Sequence, residues 1–183
     1  MDRLLEEHYV SAWGRALQIL LPDDAHRPQL PDAYRVIEFP PAGKRREWIY
    51  ATEGMSIGTA RAPRLELHLW ANSETPRHAE ILHVIAHYHL HGRPLGLHHT
   101  VYLGQPWVPG SKCTHAYTSI PYLSGPTLEW FMDKNGAAHR CLWLVPITPE
   151  ECKLASAQGA ESLERAFERA SLDYANPFRA STV

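Results

Sequence analysis

Arg64-Leu65-Glu66-Leu67-His68-Leu69-Trp70 alternates polar and apolar side chains, and Thr75-Pro76 follows a few residues later. A period of two sends alternate side chains to opposite faces, so the segment predicts a strand with one packed face and one wetter face. Ser73 or Thr75 can cap the helix that comes next, and Pro76 fits its first turn. Glu80, Ile81, Leu82, Val84, Ile85 and Tyr88 then carry the helix until Gly92-Arg93-Pro94 forces an exit. A long helix fed directly by a half-buried strand requires a layered fold.

The flanking segments fill in those layers. Leu4, Leu5, Tyr9, Ala12, Trp13, Ala16, Leu17 and Leu20 recur at three- and four-residue steps, which predicts an N-terminal helix over about residues 2–20. Pro22, Pro28 and Pro31 mark a connection. The core then runs over about residues 30–183, beginning with strands at Tyr34–Phe39 and Glu47–Thr52 around the Pro40–Arg46 turn. Further strands are predicted at His98–Leu103, Thr118–Tyr122, Thr127–Met132 and Arg140–Val145. Thr148-Pro149-Glu150-Glu151 has the form of a capping box, Gly159 breaks the helix it starts, and Leu163, Ala166, Phe167 and Ala170 line a last helix. Helix, strands, helix, strands and helices without an internal repeat give an α+β fold. It is a single domain of 183 residues, with helices against a mixed or mainly antiparallel sheet.

Charge and composition narrow the function classes. Eighteen basic residues against 20 acidic ones leave a formal net charge of −2, so no global field draws the chain to nucleic acid or an anionic membrane. Lys44-Arg45-Arg46 reads as a solvated turn. The N-terminus lacks a basic segment followed by an apolar run, and no stretch approaches the roughly 18 apolar residues of a membrane span. Cys113, Cys141 and Cys152 are too few and too scattered for a disulfide scaffold. These features read as a soluble cytoplasmic protein without a cofactor.

Twelve histidines are the anomaly, four of them at His83, His87, His89 and His91. His83 and His87 share a helix face and form the candidate metal pair of an alternative reading, a metal-dependent hydrolase, with His98, His99 or Glu80 as further ligands. The motif lacks the glutamate of HExxH, so the face reads instead as exposed and polar. Neither Cys113 with His115 nor Ser111 or Ser119 forms a nucleophile motif. Thr52-Glu53-Gly54-Met55-Ser56 lacks a phosphate-binding pattern. Trp107, framed by Gly104-Gln105-Pro106 and Val108-Pro109-Gly110, is the loop-borne contact candidate, with folding back over the core as the alternative.

Several stretches together resemble the bacterial suppressor-of-fused-like (SUFU) domain family. They are Trp48-Ile49-Tyr50-Ala51-Thr52-Glu53-Gly54-Met55-Ser56, Glu66-Leu67-His68-Leu69, the helix leading through Gly92 and Pro94 to His98-His99-Thr100-Val101, and Pro106 and Gly110. Leu144-Val145-Pro146-Ile147-Thr148-Pro149-Glu150-Glu151 and Asp173-Tyr174-Ala175-Asn176-Pro177-Phe178-Arg179 complete a match from about residue 30 to the end. The resemblance implies an α+β domain without a known catalytic constellation, and the reading it favours is a non-enzymatic protein-binding module, either an immunity protein or a regulatory adaptor. Bacterial members are thought to include immunity proteins, which makes a cognate toxin the implied partner. Trp107, Trp48 and Arg179 are the candidate contacts. A structural, homo-oligomer-forming protein is the third reading.

Overall fold

The computed structural model describes residues 4–24, 27–57 and 64–183, apart from the side chain of residue 28. Helix α1 (Leu4–Trp13) leads into strand β1 (Gln18–Leu20), followed by β2 (Arg35–Phe39), β3 (Trp48–Glu53) and β4 (Arg64–Ala71). Next come the long helix α2 (Pro76–His91), β5 (Thr100–Tyr102), β6 (His115–Ser119), the single turn α3 (Pro126–Glu129), β7 (Trp130–Met132) and β8 (Ala138–Ile147). Helices α4 (Pro149–Gln158) and α5 (Ala160–Arg169) close the fold. The strands form one eight-stranded sheet in the order β1-β2-β3-β4-β8-β6-β5, with β7 also paired to β8. All pairings are antiparallel except β4 with β8, which joins the two halves. The architecture is the expected single-domain α+β fold.

Both faces of the sheet are covered. Leu65, Leu67 and Leu69 of β4 pack with Ala79, Leu82, Ile85 and Ala86 of α2 on one face. On the other, Tyr9 and Trp13 of α1 lie over Ile37, Phe39, Ile49 and Ala51. Farther along that second face, Leu163 and Phe167 of α5 cover Tyr117, Trp143 and Val145. The wetter face predicted for β4 is therefore buried, and its polar residues Glu66 and His68 are inside. The alternation reported the strand correctly, but α1 arrives from elsewhere in the chain to cover the side that looked wet.

Local signals explain most helix boundaries. Thr75 accepts from Arg77 N at 3.4 Å and Pro76 starts α2, while Thr148 and Glu151 form the complete capping box of α4. The N-terminal helix is shorter than its apolar periodicity predicts. Gly14 adopts a φ of +89°, a left-handed conformation that glycine tolerates, and the chain turns there so that Gln18–Leu20 pairs with β2. Residues 127–129 likewise form a helical turn behind Pro126, leaving only Trp130–Met132 as strand.

Candidate functional site

The candidate contacts from the sequence move inward. Trp107 is 1% exposed and belongs to the α2-side core, with its backbone N–H bonded to Cys113 O at 2.8 Å. The glycine- and proline-framed loop folds back over the core and leaves this indole no surface with which to anchor a partner. Arg179 is also buried. Its guanidinium donates to both carboxylate oxygens of Glu151, at 2.6 and 2.8 Å, and to Pro146 O at 2.8 Å, so it fastens the C-terminal segment. Trp48 is half-buried against the α2-side core.

The histidine face of α2 is only in part the exposed polar surface it resembles: Glu80 and His91 are exposed and His87 half-buried, but His83 is buried. His78, His83 and His89 are buried. The His83 ring lies 3.2 Å from the Tyr34 hydroxyl, and His89 Nδ1 accepts from Leu95 N at 3.0 Å. His87 lies beside His91, their rings tilted and their centroids 4.7 Å apart. Segments on either side of α2 cover what its own periodicity leaves open. Among the described residues, no group of three or more His, Cys, Asp or Glu side chains is arranged to hold a metal ion. His83 and His87 are thus not joined by a third ligand.

The more open chemistry lies on the α1 side, at the end of β3, β4 and β8. A cleft of about 400 Å³ is lined there by Leu5, Ile57 and Phe131 and by Glu53, Arg64, Asp133 and His139. Its floor is Glu66, fully buried on β4. The Glu66 carboxylate accepts from Thr52 Oγ1 at 2.6 Å, Gly54 N at 3.1 Å and Met55 N at 3.3 Å. These bonds bind the Thr52–Ser56 segment to β4, and the φ of +85° at Gly54 lets the backbone turn over the carboxylate. Burial pushes the Glu66 carboxyl up to about 7, with the bonds from Thr52 and Met55 acting against it.

The walls are held by ion pairs. Arg35 bridges Glu53 and Glu6, the latter at 2.8 Å, so α1 is tied to the ends of β2 and β3. Burial pushes the Glu53 carboxyl up and Arg35 draws it back. Opposite, Asp133 accepts from Arg64 at 2.9 Å and from the backbone N–H groups of Asn135 and Ala137 at 2.9 and 2.8 Å. Those backbone bonds, the Ala137 one foremost, hold its carboxyl below the usual range against burial. His139 Nε2 is 3.5 Å from the same carboxylate.

Strand β7 forms the lip of this cleft and splits its side chains by the period of two. Phe131 points into the cleft, whereas Trp130 and Met132 on the other side are 48% and 58% exposed. Trp130 is not loose: the Arg140 guanidinium lies 5.2 Å from its ring centroid and is itself held by Glu129 at 2.7 and 2.9 Å. Trp130, and not Trp107, is the indole left half-exposed and held in place. The signal in the sequence was the Trp-Phe-Met alternation, obscured because Thr127–Met132 read as one strand.

Comparison with known proteins agrees with the fold. The chain matches a SUFU (suppressor of fused protein) homolog from Neisseria gonorrhoeae over 100% of its own length and 96% of that chain, with 28% identity and a TM-score of 0.85. A chain of the Sufu–Fu complex matches at 15% identity and a TM-score of 0.72, covering 99% of this chain and 92% of that one. Drosophila Suppressor of Fused matches at 14% identity and a TM-score of 0.76, covering 99% of this chain. The present chain spans about half, 51%, of that Drosophila chain. No match is found among the curated proteins. The family model for Suppressor of fused protein (SUFU) matches residues 31–180, and the chain belongs to that family.

Proposed function

We propose that the chain is a non-enzymatic protein-binding domain whose contact surface is the lip of the α1-side cleft. The observation that carries this reading is Trp130, a half-exposed indole fixed over a guanidinium and flanked by exposed Met132 beside a concave, charge-lined cleft. Tryptophan, arginine and methionine are enriched where interfaces concentrate their binding energy. A family relative occurs in a complex, that of Sufu with Fu, which supports a protein as partner. Within this reading the partner class implied by the bacterial resemblance is a cognate toxin, occluded one to one in the cytoplasm.

The test is capture of the tagged chain from its own cells, followed by native mass spectrometry. The unaltered chain yields a one-to-one heterocomplex. Trp130→Ala with Met132→Ser weakens it by about 30-fold, the equivalent of roughly 2 kcal/mol, while the fold is retained. Equal capture by the double variant would overturn the assignment of the lip. A chain that binds no protein but turns over a substrate would overturn the binding reading itself.

A further inference from the structure

A second surface lies at the opposite boundary of the sheet. Among the described residues strand β1 is an edge, paired to β2 on one side only. Native sheets keep such edges short or blunt them with charge, because their unpaired N–H and C=O groups accept another strand. β1 is short but not blunted: Leu17 and Ile19 stay 54% and 45% exposed, and neither neighbour carries a charge. The register Ile19↔Ile37 places Ile19 on the α1 side, beside the cluster that holds Ile37.

The other side of the same edge has a different chemistry. Between β1 and the start of α2 runs a groove of about 210 Å³, with Leu20, Leu21 and Ala79 as apolar wall and Glu38, Glu74 and Glu80 as carboxylates. No lysine or arginine lines it among the described residues. Arg77, the cation nearest in sequence, pairs with Glu80 at 3.3 Å but also reaches the carbonyls of Trp107 and Pro106. Gln18 satisfies one oxygen of buried Glu38 at 2.7 Å and Tyr50 the other at 3.3 Å. Both are neutral donors, so among the described residues Glu38 and Glu74 have no bonded cation, whereas Glu80 is paired with Arg77.

We infer that the β1 edge accepts an extended segment of a partner protein in which apolar residues alternate with lysine or arginine. Added as a further strand, such a segment places its apolar side chains beside Leu17 and Ile19 and its cations over Glu38, Glu74 and Glu80, because successive side chains point to opposite faces. Main-chain pairing supplies the attachment and the two unlike faces supply the selection. This surface is separate from the β7 lip, so it stands or falls independently of the proposed function.

The probe is a capped eight-residue peptide of alternating valine and lysine, compared with one of alternating valine and glutamate, titrated into the full chain with amide hydrogen exchange as a second readout. The valine–lysine peptide binds, protects amides around Gln18–Leu20 and loses at least about tenfold in affinity with Glu74→Lys, whose side chain is at the surface. The valine–glutamate peptide binds at least about tenfold more weakly. Equal binding of the two peptides, indifference to Glu74→Lys, or protection only at the other edge strand, Thr100–Tyr102, would overturn the inference. So would a concentration-dependent dimer that protects β1 without peptide, since the occupant would then be a second copy. Loss of peptide binding at β1 alongside an intact Trp130-dependent complex would remove this inference and leave the proposed function standing.

Discussion

Glu66 and Glu151 are both completely buried, yet the regions around them answer that burial in opposite ways. At the C-terminal end, Arg179 meets both oxygens of Glu151, and Thr148 N and Thr182 N add bonds at 2.9 and 3.0 Å. Burial raises this carboxyl, but Arg179 and the backbone donors outweigh it and hold it below the usual range. On the cleft floor the donors to Glu66 among the described residues are all neutral, and burial wins. The clamp closes a terminus, where a fully compensated charge pair serves to lock the chain. The cleft keeps a carboxyl that has no bonded cation among the described residues beneath open volume, which is consistent with the proposal that this region meets a partner.

The largest effect follows from breaking the clamp. Arg179→Ala leaves a buried carboxylate without its cation and is expected to cost about 3–5 kcal/mol in urea unfolding. A cost below about 1 kcal/mol would mean that Glu151 is satisfied by its backbone donors alone. The clamp also sets a pH window. Glu151 has a depressed folded value, so its contribution is present above the ordinary carboxylate range and fades as pH falls through the folded value.

Glu66 has the reverse sign. Its folded value of about 7 lies above the unfolded one, so its contribution is full below the ordinary carboxylate range and is lost as pH rises toward about 7. Glu66→Gln removes that slope, roughly 2–3 kcal/mol across the window, and stability measured at pH 4.5 and 7.5 reads the change. An unchanged slope would place the titration elsewhere.

His68 gives a smaller effect on the same face. Its ring sits between Trp13 and Trp143, at centroid distances of 5.1 and 6.4 Å, and neither ring nitrogen has a hydrogen-bond partner among the described residues. Burial lowers its value to about 3, so folding excludes the proton and stability falls as pH drops below about 6.5. His68→Leu, of similar volume, should raise stability by about 1 kcal/mol at pH 7 and by more at pH 5. A loss at both values would show that the imidazole contributes through its stacking. Smallest of all is Trp130→Ala, which should change stability by no more than about 0.5 kcal/mol although it weakens partner binding.

Features set by neighbours in sequence were legible before the structure. Thr75-Pro76, Thr148-Pro149-Glu150-Glu151 and the β4 alternation carry their own geometry, because caps and pleats are local. Glu66, His68 and His83 were misread as surface polarity because their covers come from α1 and from Tyr34, far away in the chain. Trp107 lies inside and Trp130 stays half-exposed for the same reason. A loop framed by glycine and proline can fold either way, and only the long-range docking of Arg77 onto the Trp107 carbonyl, at 3.2 Å, and the pairing of β7 with β8 decide which indole is inside.

The most direct test of the account is site-specific photo-cross-linking in living cells, with the reactive residue placed at Met132 on the lip or at the equally surface-bound Glu161 on α5. A discrete adduct of the chain with one partner from Met132, and none from Glu161, is the predicted result. Identical adducts from both positions, or none from Met132, would contradict a binding surface at the lip of the cleft.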